Sequence, residues 1–143
     1  MQASAPTTSF RLSFANPPGL YDPRPNGYSH LAMVQGPARL VYAAGQGGED
    51  TQGYLAPDFA TQVRQALANL RTALATAGAH PQDVVKLTVL IVDHTQDRLR
   101  IFSEQIQALW ADAPTPACTL IPVPRLALDG MLFEIEATAA VAA

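Results

Sequence analysis

With 143 residues, 48% hydrophobic and only 15% charged, the chain is too apolar for disorder and suits one compact domain over residues 10–143. Nine basic against twelve acidic side chains leave a net charge of -3 with no Lys/Arg run, which argues against nucleic acid as a partner. One cysteine excludes an internal disulfide and a thiolate metal cluster, and the longest apolar run, Val84 to Val92, is interrupted by Lys86 and too short for a bilayer.

Met1 to Ser9 is small and polar and reads as a frayed, flexible terminus without a basic flank or apolar core segment, which leads us to expect a cytoplasmic protein. Phe10 to Phe14 (FRLSF) alternates as a half-buried strand does. The next stretch, ANPPGLYDPRPNG from Ala15 to Gly27, holds four prolines and two glycines and reads as an irregular ordered loop. Tyr28 to Gln35 and Arg39 to Ala44 flank Gly36-Pro37-Ala38, which predicts an antiparallel hairpin, and AGQGGED then breaks the sheet.

From Asp58 the apolar positions Phe59, Val63, Leu67, Leu70, Leu74 and Ala77 recur three or four apart, giving an amphipathic helix capped by Asp58 and ended by Gly78. Val84 to Asp93 (VVKLTVLIVD) is dense in β-branched residues and reads as a buried strand. A second helix begins near Asp97, buries Leu99, Phe102, Ile106, Leu109 and Trp110, and stops before Pro114 and Pro116. Two further strands, Cys118 to Val123 and Met131 to Ala137, are joined through Asp129-Gly130 turn chemistry. The order β-β-β-α-β-α-β-β predicts an α+β fold, a six-stranded mixed sheet with two helices on one face. The opposite sheet face needs a cover, for which a symmetric homo-oligomer is the economical solution.

The segments NGYSHLAMV, LVYAAGQGGED, FATQVRQALANLRTALATAGAHPQDVVKLTVLIVD, PACTLIPVPRL and FEIEATA resemble the reactive intermediate deaminase family, RidA/YjgF or YER057c-like, over nearly all the chain from Tyr28 onward. The resemblance implies a chorismate-mutase-like fold, a homotrimer, and three intersubunit clefts that bind small carboxylate-bearing molecules. It implies hydrolysis of enamines and imines to a keto compound and ammonia, and no metal or organic cofactor.

Such hydrolysis needs an anchor for the substrate carboxylate, a group that orients water, and donors for developing charge. An arginine fork suits the first task. In the deaminating members that arginine directly follows the proline and alanine of the strand before the EIEA segment, and here the position is Cys118. Arg125, seven residues further on, is a poor substitute, and Arg24 is a freer one in its loop. By the same resemblance Tyr28 contacts substrate, the Gly45 amide faces it between Ala44 and Gln46, Leu120 lines the pocket, and Glu134 orients water.

The residues by themselves give blander readings for several groups. A buried free cysteine commonly acts as a small hydrophobe, so Cys118 is expected in a wall or core and not as a nucleophile. Glu134 and Glu136 share one strand face, and Glu136 is expected to be a solvated charge. His30 is expected to be structural, and His80 and His94 form no recognised metal motif. Two functions stay open: an imine or enamine deaminase with an altered substrate preference, and a non-catalytic trimer that binds a less charged small metabolite. A protein with vestigial clefts is a third, weaker reading.

Overall fold

The computed structural model describes residues 9–143, so the expected flexible terminus lies outside the described residues except for Ser9. Its elements are β1 (Arg11–Ala15), a 3₁₀ turn (Arg24–Asn26), β2 (Leu31–Gln35), β3 (Ala38–Gln46), α1 (Phe59–Thr76), β4 (Val84–Val92), α2 (Gln96–Trp110), β5 (Ala117–Val123) and β6 (Phe133–Ala142). The fold is α+β, with the expected order of six strands and two helices. The proline-rich loop is less irregular than its composition suggests, because Pro25 sits where a 3₁₀ turn tolerates it and Gly27 takes the left-handed φ of 75° that ends the turn.

Main-chain pairing arranges four strands in the order β3-β6-β4-β5, with β4 and β5 parallel and the other pairs antiparallel. β1 and β2 form an antiparallel ribbon, tied to β5 by a parallel bridge between Ser29 and Ala117. Two pairings differ from expectation. β2 pairs with β1 and does not form a hairpin with β3, which pairs with β6. β5 and β6 are not neighbours either, because β4 lies between them. Ser29 sits at the start of β5 and Ala38 at the opposite edge of the sheet, so β2 has to travel across the sheet between them, touching β4 on the way.

Alternation on the strands decides which side is buried. Leu87, Val89 and Ile91 of β4 and Phe133, Ile135, Ala137 and Ala139 of β6 face the helices and are buried. Phe133 meets Phe59 of α1 edge-on, with ring centroids 5.9 Å apart, and lies 5.7 Å from Phe102 of α2. Each such ring contributes roughly 1.5–3 kcal/mol by leaving water. The helices start where side chains can satisfy free amides: Asp58 accepts from the Thr61 amide at 2.9 Å, and Thr95, two residues before the expected Asp97, accepts from Arg98 at 3.1 Å.

Candidate functional site

The candidate residues fall on two faces of the sheet. Cys118 pairs with Leu87 and Glu134 with Leu90, three residues apart on β4, so their side chains leave opposite faces. Cys118 and Leu120 pack beside the helix-covered core, whereas Glu134 shares the uncovered face with Thr88, Leu90 and Glu136.

On that uncovered face a bulge shapes the Glu134 neighbourhood. Between Ala43–Ala137 and Gln46–Ile135, β3 spends one residue more than β6, which sets Ala44 and Gly45 opposite the single residue Glu136. The half-buried Glu134 carboxylate lies so close to Gly45 that a Cβ there would collide with its Oε1. Only glycine leaves room for this approach. Gly45, Glu134, Glu136, Thr88 and Leu90 line a cavity of about 180 Å³. Gln46 is turned to its own strand, with Nε2 donating to the Ala44 carbonyl at 3.1 Å. The glycine-rich loop behind it is held by Asn69 of α1, whose Nδ2 donates to the Gly47 and Glu49 carbonyls at 2.9 and 2.8 Å.

Cys118 lies in a second cavity, of about 240 Å³, with Tyr28, Leu120, Phe102 and His94. Burial pushes the Cys118 thiol up to about 12, an effect that Lys86 opposes only weakly, so at neutral pH it is a neutral, small group. Tyr28 precedes β2 and does not belong to it; its hydroxyl meets that of Tyr21, and the Tyr28, Tyr21 and His30 rings pack edge-on. His30 is fixed by its amide, which donates to Asn16, and by a 2.8 Å contact of Nε2 with the Tyr21 carbonyl. It orders the loop that carries the tyrosines.

Neither arginine weighed as a substitute clamp lines this cavity. Arg24 is exposed and paired with Asp22 at 2.8 Å, and Arg125 is paired with Asp129 at 2.7 Å. His94 does line it, although its spacing forms no recognised motif. Asp93 takes a left-handed φ of 50°, turning the chain just before His94 so that this residue reaches the Cys118 wall. No local signal in the sequence announces that reversal. The larger concavity between α1 and α2, about 620 Å³ and flanked by Arg64 and Arg71, contains none of the candidate residues.

A family profile described as Endoribonuclease L-PSP matches residues 22–141. The chain belongs to this family, the RidA/YjgF superfamily. It is similar to the RutC family protein PH0854 of Pyrococcus horikoshii, 33% identical over 123 residues covering 82% of this chain and 90% of that one. A 2-iminobutanoate/2-iminopropanoate deaminase of Rattus norvegicus is 41% identical over 68 residues, 46% of this chain and 47% of the relative, so the family includes imine deaminases. Among solved structures, a Rid-family protein of unknown function, YyfB from Yersinia pestis, superposes with a TM-score of 0.84 at 38% identity, covering 91% of this chain and 98% of that one.

Proposed function

We propose that this protein hydrolyses small imines or enamines to a carbonyl compound and ammonia, in clefts between copies of the chain, with a preference shifted away from carboxylate-bearing substrates. The observation that carries this reading is the half-buried Glu134 carboxylate seated against Gly45 in a cavity on the uncovered sheet face. There Glu134 accepts a hydrogen bond from water and directs its oxygen at the C=N carbon, taking a proton as the C–O bond forms. Glu134 hands that proton to the imine nitrogen to give a carbinolamine. The carbinolamine hydroxyl then passes its own proton through Glu134 to the nitrogen as the C=O bond forms, the C–N bond breaks and ammonia leaves, with Glu134 again a carboxylate. Gly45, against which that carboxylate is seated, offers its main-chain amide as the donor to bound substrate.

The opposite placement of Cys118 and Glu134 supports an oligomeric site, in which the Cys118 and Tyr28 cavity of one copy adjoins Glu134 of the next. A homotrimer agrees with the family resemblance. The missing guanidinium at position 118 weakens a carboxylate substrate by about 1.5–3 kcal/mol, the usual range for hydrogen bonds to a charged group. Low net charge and the absence of a Lys/Arg run disfavour RNA as the substrate.

Ammonia release from freshly generated 2-aminoacrylate tests the reading against the uncatalysed background. We expect slow turnover by the wild type, a further fall of about 10²-fold or more for Glu134→Gln, and faster turnover for Cys118→Arg. An active wild type whose rate is untouched by Glu134→Gln would refute the role of the carboxylate. The uncharged wall at Cys118 favours a second reading, a non-catalytic binding protein, which predicts ligand binding with no imine turned over by any variant.

A further inference from the structure

On the far side of the sheet from Glu134, α1 and α2 leave between them an open trough of about 620 Å³. Its α1 wall is a single stripe over residues 64–75, taken at every third or fourth position, which at 1.5 Å per residue runs for about 16 Å, three helical turns. The floor is apolar: Leu67 is buried, Leu109 is half-buried, and Ala68 and Ala108 are exposed small residues with no long side chain to fill the space above them. Filling the trough takes roughly twenty non-hydrogen atoms, the side chains of about five leucines. An amphipathic helix presents three or four apolar side chains per two turns, so about three turns of one match the trough in both length and volume.

The rim supplies the charge. Arg64 and Arg71 are exposed, stand two turns apart on α1, and make no salt bridge among the described residues, whereas Arg24, Arg100 and Arg125 each hold a carboxylate. No Asp or Glu lines the trough. A partner that covers it draws these two guanidinium groups partly out of water, and acids opposite them offset that cost. A second copy meeting this face across a two-fold axis would set arginine against arginine, and residues 1–8 of the chain carry no acid. We propose that the trough docks an acidic amphipathic helix of a partner protein, which seats its apolar stripe over Leu67 and Leu109 and sets two carboxylates, two turns apart, against Arg64 and Arg71. The small side chains at Ala68 and Ala108 let its backbone come near, and each guanidinium fork can grip a carboxylate with two parallel bonds. The trough shares no residue with the cavities at Cys118 and Glu134, and assembly through the uncovered sheet face leaves it open.

The test uses the whole protein and a fluorescein-labelled, alanine-rich helical peptide of about 18 residues, with leucines at three- and four-residue spacing and two glutamates flanking them two turns apart. Companion peptides replace both glutamates by glutamine or by lysine, and a fourth carries a central proline that breaks the helix. Fluorescence anisotropy reads binding at peptide concentrations where sedimentation shows a monomer. We expect the glutamate peptide to bind about tenfold tighter than the glutamine peptide and the lysine peptide to bind more weakly still, with the gap closing as salt rises from about 0.05 to about 0.5 M. The proline peptide should not bind. Arg64→Glu/Arg71→Glu should reverse the order of the glutamate and lysine peptides, and Ala68→Trp, which fills the trough, should weaken the glutamate and glutamine peptides alike.

Equal binding of the glutamate and lysine peptides, an order unmoved by the arginine reversal, a proline peptide that binds as well as its parent, or no binding of any peptide would each overturn the proposal. A changed sedimentation of the protein alone in Arg64→Glu/Arg71→Glu would also overturn it, by making the trough a contact between copies of the chain. So would binding to phosphatidylglycerol vesicles that the same double variant loses while every peptide stays unbound, which would make it a lipid-headgroup site. All three substituted positions are exposed on α1, so the variants leave the core in place, and circular dichroism checks the fold. If the double reversal does not fold, Arg64→Gln/Arg71→Gln decides in its place, by bringing the glutamate and glutamine peptides to equal affinity or failing to.

Discussion

Cys118 shows how position alters the meaning of a residue. Its thiol holds its proton up to about 12 because burial disfavours the thiolate, while in the unfolded chain it ionises near the ordinary cysteine range. Below about pH 9 both states are protonated and no penalty exists. Between about pH 9 and 12 the unfolded state loses its proton and the native state keeps it, so stability falls as pH rises. Urea melts of the wild type and Cys118→Ala between pH 8 and 11 should show the steeper decline in the wild type, and iodoacetamide should label the native thiol far more slowly than the unfolded one. Gly45→Ala should leave the fold nearly intact, because the added methyl meets the movable end of Glu134, yet lower imine turnover by displacing that carboxylate; thermal melts alongside ammonia release separate the two effects. The sequence made Cys118 legible as a neutral wall residue, since a lone cysteine without a neighbouring cation seldom ionises. It did not reveal His94, whose place depends on the backbone reversal at Asp93.

Individual elements were readable wherever apolar spacing and capping chemistry agreed. α1 begins after Asp58 and ends before Gly78, which takes a φ of 72°, because an acceptor side chain and a left-handed glycine mark those ends unambiguously. The pairing of β2 was misread because Gly36-Pro37 is ordinary hairpin punctuation, while partner choice was decided elsewhere: β2 pairs with β1, and β3 pairs with the sequence-distant β6. A buried polar residue joins these elements. Gln62, fully buried on α1, donates to the carbonyls of Ala56 and Gly130 and accepts from the Leu132 amide, at 2.8–2.9 Å. Gln62→Leu strands all three groups and should destabilise the protein by about 3 kcal/mol in chemical denaturation, more than the roughly 1 kcal/mol expected for removing the α2 cap by Thr95→Ala.

For the whole molecule, the uncovered side of the sheet is the dominant feature. Leu40 and Tyr42 of β3 and Ile121 of β5 lie on it, and Tyr42 is 73% exposed. Composition already pointed to a second layer of burial, and the structure locates the residues that would need it. Tyr42→Arg should shift sedimentation toward a smaller species and, if the cleft is shared between copies, depress activity together with assembly. Fold class was legible because strand and helix order limits an α+β chain to few arrangements. The separation of Cys118 from Glu134 was not, since it depends on register between strands far apart in sequence.

The last strand of the chain sits inside the sheet, between β3 and β4. A ribosome therefore delivers the central plank after both of its flanking strands have emerged, and until then each of those strands presents an open row of amides and carbonyls. Nascent chains arrested at Leu132 should accordingly remain protease-sensitive and depend on chaperones, while those released beyond Ala142 close in one concerted step.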